Sequence, residues 1–438
     1  MCATPGLVAS TEEILAFDRA HVWHPYTSAE GHAKRPIVAT RAEGALIFDD
    51  TGRALIDGNS SWWVAGLGHN PPRLVRALKA QLEKMAHVSL AGMTHEPAAL
   101  LAKELVGVAP AGLTRAFFTD NGSTSIEVAL RASLQYWQQN GAPKRTRFLA
   151  LDGAFHGDTM GAVSVNGVDV FTKNFGGARF ETVRAPVPEG SDEAAYARAF
   201  EVLADLMLRH RDEIAGIVVE PLVQGAIGMR MYPARFLAEL ARLAREIDTF
   251  LIVDEVFAGY GRTGKMWASN HADITPDIVC LGKTFCPLFP MGAALFTERL
   301  FEGFGGDKSR ALYYGHTFAG NPLGAAVARE VLAMFREDAI IEKSLPKGRA
   351  ISDAFSRLSK RDDVARVRSI GMIGALDFRA NAGYFGERGW RIYDEALKRG
   401  AILRPLGDTI YVCPPLTIED KELTRLLEIV EECVEVTA

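Results

Sequence analysis

Apolar residues fall into short continuous runs along this chain, and most runs stop abruptly at a small or charged residue. Phe148-Leu149-Ala150-Leu151, Gly216-Ile217-Val218-Val219, Leu251-Ile252-Val253 and Ile278-Val279-Cys280-Leu281 are the clearest. Short unalternating runs suit strands buried on both faces. Between them, apolar positions recur at helical spacing. Ile126, Leu130, Leu134 and Trp137 share one helix face, and Phe236, Leu240, Leu243 and Ile247 share another. Helices are also predicted over residues 74–85, 96–108 and about 192–210. Arg115–Phe118 reads as a further strand, and Ala293–Phe296 as one that returns antiparallel. Thr124 with Glu127 suggests a capping box at the helix after Arg115–Phe118, and Pro233 suits the first residue of a helix. Strand–helix alternation from about residue 72 predicts an α/β unit with a mostly parallel sheet covered on both faces.

The two ends of the chain read differently. Ala45–Phe48 and Ala54–Asp57 form a plausible strand pair across the turn Asp49-Asp50-Thr51-Gly52. Beyond about residue 337, helices over 348–359 and 387–399 flank short strands. Ile402–Pro405 and Thr409–Val412 look like a strand pair, and a last helix aligns Leu423, Leu427, Val430 and Val434. The expected organisation is a segment 1–71 that joins a smaller α+β domain at 337–438, with a large domain at 72–336 between them.

Composition narrows the function classes. The 438 residues carry a formal net charge of −5, which offers no basic field for nucleic acid. No apolar run reaches the roughly 18 residues of a membrane helix, and Met1–Ser10 does not read as a secretory signal. The five cysteines, Cys2, Cys280, Cys286, Cys413 and Cys433, are scattered, which suggests reduced thiols in a cytoplasm. Three of the six tryptophans, Trp23, Trp62 and Trp63, lie in the opening segment. Adjacent aromatics in an irregular stretch can be core, or can wall a pocket for an aliphatic ligand.

The chemistry sits where the strands stop. Val253 is followed by Asp254 and Glu255, Leu281 by Gly282-Lys283, and Val219 by Glu220. Alone, such an acid caps a turn and such a lysine is solvated. Together they lie at the carboxyl edge of an open sheet, where ligands bind. A lysine able to form a Schiff base and an acid able to hold a pyridinium nitrogen are the protein half of pyridoxal phosphate chemistry. Thr119–Thr124 joins a strand to a helix N-terminus, an anion site suited to a phosphate. Phe155, beside glycines at another strand end, can stack on a planar ring. Gly259-Tyr260-Gly261-Arg262-Thr263-Gly264 also fits the dinucleotide fingerprint, but no helix opens on its third glycine.

Taken in order, Asn121-Gly122-Ser123, Phe155-His156-Gly157, Val219-Glu220-Pro221, Asp254-Glu255-Val256, Gly261-Arg262-Thr263-Gly264, Lys283 and Thr317 through Pro322 resemble the class III pyridoxal-phosphate-dependent aminotransferases. That resemblance runs from about Trp23 to the last helix. It implies fold type I, with a mostly parallel seven-stranded sheet, and a homodimer whose subunits share each active site. It implies pyridoxal 5'-phosphate as cofactor and a ping-pong exchange between an amino donor and a keto acceptor. Lys283 and Asp254 are then the catalytic pair. Gly122 and Ser123 hold the phosphate, joined by Thr317 from the partner subunit. Phe155 and Val256 sandwich the ring, with His156 and Glu220 completing the cofactor set, and no metal is expected.

Trp23-His24-Pro25-Tyr26, Ser60-Ser61-Trp62-Trp63, Leu134-Gln135-Tyr136-Trp137 and Leu403-Arg404-Pro405-Leu406 resemble one branch of that family. It aminates 8-amino-7-oxononanoate to 7,8-diaminononanoate in biotin biosynthesis. The likeness implies that Tyr26, Trp62 and Trp63 line the substrate pocket and that Arg404 takes the substrate carboxylate, which its planar fork suits. Three positions depart from that branch: Phe155 replaces a tyrosine, Thr284–Pro290 replaces a Gly-Gly loop, and His316 replaces a proline. The donor is therefore open between S-adenosylmethionine and lysine. A broad amine or ω-amino acid–pyruvate transaminase is the alternative on the same scaffold. A mutase and a turnover-free pyridoxal phosphate regulator are further alternatives, and no DNA-binding segment supports the last.

Overall fold

The computed structural model describes residues 9–188, 192–380 and 382–437. Cys2 and most of the stretch read for a leader, Met1–Ser10, lie outside them. Sixteen strands are assigned among the described residues. β1 (Ala39–Glu43), β2 (Leu46–Asp49) and β3 (Ala54–Asp57) come first, then β4 (Leu113–Thr119), β5 (Arg147–Leu151), β6 (Thr182–Ala185) and β7 (Ile214–Val219). A small hairpin, β8 (Val223–Gln224) and β9 (Arg230–Met231), precedes β10 (Phe250–Asp254), β11 (Ile278–Leu281) and β12 (Gly292–Thr297). The chain closes with β13 (Val364–Ile370), β14 (Ile373–Phe378), β15 (Ala401–Ile402) and β16 (Ile410–Val412).

Seven strands form the central sheet in the order β4-β12-β11-β10-β7-β5-β6. Only β12 runs against its neighbours, pairing antiparallel with β11 and β4. The mostly parallel sheet and its one returning strand thus match expectation. Every residue of β7, β10 and β11 is buried. Side chains alternate between two cores, as the pleat requires. Leu251, Val253, Val279 and Leu281 enter one, and Phe250, Ile252, Ile278 and Cys280 the other. Helices Glu193–Arg209 and Ala234–Glu246 cover the first face, and helix Gly122–Gln139 the second.

A second sheet, β1-β2-β3-β15, joins the opening segment to the end of the chain, because β15 pairs parallel with β3. A third, β13-β14-β16, lies in the last hundred residues. Ile402–Pro405 and Thr409–Val412 therefore do not form a strand pair. Their strands belong to different sheets, and only a single bridge, Leu406 to Thr409, links the two stretches.

Three local expectations are corrected. The helix after β4 starts at Gly122 and is capped by Asn121, which exchanges bonds with Thr124, while Glu127 accepts from the Gly161 and Ala162 N–H groups. Pro233 is extended and is the N-cap, so the helix begins at Ala234. The helix expected from Gly348 spans Ile340–Leu358, with Pro346 inside it. Cys280, Cys286, Cys413 and Cys433 are buried free thiols.

Candidate active site

The parallel register brings the strand ends together. Asp254 pairs with Cys280, three residues before Lys283, and Val253 pairs with Val219, which precedes Glu220. β4 runs the same way and delivers Asp120 to Ser123 to that edge. Trp63, Gly122, Ser123, Phe155, His156, Glu220, Asp254, Val256 and Lys283 line one cavity of about 500 Å3. Nine of the thirteen residues singled out in the sequence are thus assembled on one wall or floor.

Hydrogen bonds fix the acids. One oxygen of Asp254 lies 2.7 Å from Nδ1 of His156, and the other accepts from the Val256 N–H at 3.0 Å. Asn166 in turn accepts from the His156 N–H at 2.6 Å. His156 Nε2 is buried with no partner among the described residues. Glu220 accepts from the Phe155 and Gly225 N–H groups, each at 2.9 Å. Burial pushes its carboxyl up to about 7, against the pull of His156. Glu255 points away from the cavity, where it accepts from Ala268, Ser269 and the Ser269 hydroxyl.

Lys283 has a left-handed backbone, with φ of 51°. Such a conformation is uncommon for a non-glycine residue and clusters at functional sites. Its Nζ lies 4.9 Å from the centre of the Trp63 ring. Burial lowers its pKa below the usual lysine value, while Asp254 and Glu220 pull it back. A lysine held this way keeps more neutral, nucleophilic amine than a solvated one.

Around Gly122 and Ser123 the chain leaves no room for larger groups. A Cβ on Gly122 would lie 2.6 Å from Val256 Cγ1, and one on Gly157 would collide with Ser123. Ser123 Oγ accepts from the Asp158 and Thr159 N–H groups at 3.0 and 3.1 Å. Gly122 and Ser123, the first two residues of helix Gly122–Gln139, thus line the cavity, at the kind of helix N-terminus an anion site uses.

The remaining predicted residues lie outside that lining. Tyr26, Trp62 and Arg404 form a cluster of their own. Tyr26 donates to Asp158 at 2.6 Å and meets Trp62 edge-on at 5.2 Å. Arg404 donates to the Tyr26 carbonyl at 2.9 Å, and its guanidinium lies 5.6 Å from the Trp62 ring centre. Among the described residues no carboxylate forms an ion pair with it. Thr317 is exposed and does not line the cavity.

Sequence reasoning missed Asp158, Phe171, Tyr384 and Phe257. Phe171 touches Tyr26, Phe155 and Tyr384 through edge-on ring contacts. Phe257 packs on Trp63 at 4.3 Å. Asp158 directly follows Phe155-His156-Gly157 and was within reach of the motif. Phe171 and Tyr384 lie in short, weakly patterned segments that carry no signal.

A sequence model described as aminotransferase class-III matches residues 27–434. The chain belongs to the class-III aminotransferase family. It is 39% identical to the adenosylmethionine-8-amino-7-oxononanoate aminotransferase of Geobacter sulfurreducens, over 97% of this chain and 98% of that protein. It is also 39% identical to the protein of the same name from Synechococcus elongatus, over 92% and 96%. Among solved structures, the enzyme of that name from Methanocaldococcus jannaschii superposes with a TM-score of 0.93 at 30% identity, covering 98% of this chain and 99% of that one. An (S)-enantioselective omega-transaminase from Thermomicrobium roseum gives 0.94 at 28% identity, covering 98% and 100%. Backbone shape therefore does not separate this class-III enzyme's substrates; side chains must.

Proposed function

We propose that this aminotransferase converts 8-amino-7-oxononanoate to 7,8-diaminononanoate in biotin biosynthesis, with pyridoxal 5'-phosphate as cofactor. The observation that carries the substrate assignment is the rim cluster. Tyr26, Trp62 and Phe171 offer apolar ring surface, and Arg404 stands among them with no carboxylate partner among the described residues. That combination suits a long aliphatic chain ending in a carboxylate. The shared name of relatives that match at 39% identity over nearly the whole chain supports the same reading.

The cavity residues fit the cofactor. A glycine at 122 keeps the helix N-terminus open to a phosphate, where a Cβ would crowd Val256. Asp254, held from both sides by His156 and the Val256 N–H, supplies a fixed negative charge for a ring nitrogen. Phe155 and Val256 offer apolar surface to the two ring faces. When bound, pyridoxal phosphate supplies the carbonyl that takes up the amino group and a ring that accepts electrons from the donor carbon. Lys283 would hold the cofactor through its amine and would serve as the group that moves the proton at the reacting carbon. Asp254 would hold a proton on the ring nitrogen. Thr317, exposed in its own chain, serves the phosphate of the other subunit in a homodimer. The N-terminal segment and residues 337–438 act as one smaller domain against 72–336.

S-adenosylmethionine or lysine is the donor. The test is the visible absorption of the holoenzyme as S-adenosylmethionine, lysine, alanine and a simple aryl-alkyl amine are added singly. Loss of the cofactor's visible band with only one of the first two identifies the donor. Bleaching by alanine or the amine alone overturns the assignment in favour of a broad ω-transaminase.

A further inference from the structure

Metal-binding side chains meet outside the cavity, where the sequence shows no metal motif. Asp18 lies in helix Thr11–His21, His24 just past its end, and His32 in the short helix Ala29–Lys34. Nε2 of His24 lies 2.9 and 3.1 Å from the two Asp18 oxygens, and Nε2 of His32 lies 2.6 Å from Oδ2. The imidazoles are stacked with centres 3.8 Å apart and planes inclined by 25°. One ligand atom from each residue falls within 4.8 Å of the other two.

We propose that Asp18, His24 and His32 bind a divalent first-row transition cation, with Zn2+ as the type case. Zinc sits about 2.0–2.2 Å from imidazole nitrogen and carboxylate oxygen, and its tetrahedral angles put neighbouring ligand atoms about 3.3–3.6 Å apart. The His24–Asp18 and His32–Asp18 separations are hydrogen-bond lengths, so binding would open the cluster by roughly half an ångström. Two imidazoles and one carboxylate favour zinc and its neighbours over Mg2+ and Ca2+, which prefer oxygen alone. Both histidines turn the same nitrogen towards one carboxylate oxygen. Stacked in this way, the two imidazoles can present one nitrogen each to a shared cation. A cleft of about 500 Å3 beside them, lined also by Trp23 and Thr27, has room for water to complete the coordination.

The site has a structural consequence. Tyr26 follows His24 by two residues, and its carbonyl receives Arg404. A cation here ties the two short helices together on either side of Tyr26, stiffening the rim of the cavity.

The test uses full-length holoenzyme freed of metal by dialysis against a chelator. Zn2+ uptake is followed by calorimetry, and Co2+ uptake by visible absorption. One equivalent per chain is expected, unaffected by excess Mg2+. His32→Ala and Asp18→Asn should each weaken it by at least about 100-fold, the upper range seen when partners outside the ligand set are lost. His210→Ala, at a His–Glu pair elsewhere, should leave it unchanged. Asp18→Asn keeps the side-chain shape, so its thermal midpoint without metal reports folding, and a Zn2+-dependent rise should appear only in the wild type. Absence of stoichiometric uptake, or uptake that survives both substitutions, overturns the proposal and leaves a hydrogen-bonded His–Asp–His group.

Discussion

Trp62 and Trp63 are adjacent in the chain and lie in different surroundings. Trp63 is 5% exposed; it packs on Phe257, donates through Nε1 to the Tyr411 hydroxyl at 3.1 Å and walls the cavity beside Lys283. Trp62 is 43% exposed and leans on Tyr26 and Arg404. The division comes from a left-handed turn, with φ of 50°, 43°, 61° and 72° at Ser60 to Trp63. Left-handed residues cost roughly 1–2 kcal/mol each, so four in a row persist only because other bonds hold them. Ser60 Oγ donates to the Cys413 carbonyl at 2.7 Å, and Ser61 Oγ to Asp57 at 2.9 Å. The difference extends to the whole site. The floor is made of strand ends locked in a buried sheet. The rim is made of loop side chains held by a few bonds between remote parts of the chain. The floor can carry chemistry that tolerates no displacement, while the rim can vary with substrate.

The largest expected effect falls on the floor. Lys283→Ala should lower turnover by at least about 10^4-fold, the upper range for loss of a positioned proton-transfer group. It would also lose the amine proposed to hold the cofactor. Single-turnover absorbance with the preferred donor is the measurement, and transamination retained at wild-type rate would remove Lys283 from the reaction.

This contrast also explains what the sequence could reveal. Floor residues were legible because each follows an apolar run, and a parallel sheet carries every such end to one edge. Asp254, Lys283, Glu220 and Gly122 needed no long-range knowledge. Tyr26 and Arg404 entered only through resemblance, and the bonds that join them span long stretches. Tyr26 reaches Asp158 across 132 residues, and Arg404 reaches Tyr26 across 378. No periodicity encodes such a meeting. The misread strand pair near residue 405 has the same origin. Its two stretches are short and close in sequence, as in a hairpin, but the first pairs with β3 and the second with β14. A cap at Asn121 rather than Thr124 shifts the helix start by three residues and leaves its apolar stripe unchanged, so periodicity does not decide between them.

The next effect separates the two tryptophans directly. Trp63→Ala removes a buried aromatic and leaves the Tyr411 hydroxyl without its donor. Unfolding in denaturant should show a loss of about 3–5 kcal/mol, as for other buried aromatic truncations. Trp62→Ala should cost within about 0.5 kcal/mol, as surface changes do. Its effect belongs to the acceptor, with KM raised and kcat nearly kept, because the ring binds substrate and transition state alike. Equal stability losses at the two positions would mean that the left-handed turn, not the ring's surroundings, sets the energetics.

The smallest effect lies in the titration of Lys283. Burial disfavours its charged form, so its folded pKa lies below the usual lysine value of 10.5. The cofactor-free protein then binds fewer protons folded than unfolded between that lowered pKa and 10.5. Its stability should rise with pH across that window and gain nothing more from this group above it. Lys283→Met carries no charge to desolvate and should lack the rise. Asp254 and Glu220 oppose the shift with their own charges. Asp254→Asn should therefore push the lysine lower and move the onset of the rise to lower pH. The readout is the thermal midpoint of cofactor-free protein against pH. An onset that stays in place in Asp254→Asn would show that Asp254 does not act on Lys283 through its charge, and that the floor is not the coupled unit its geometry describes.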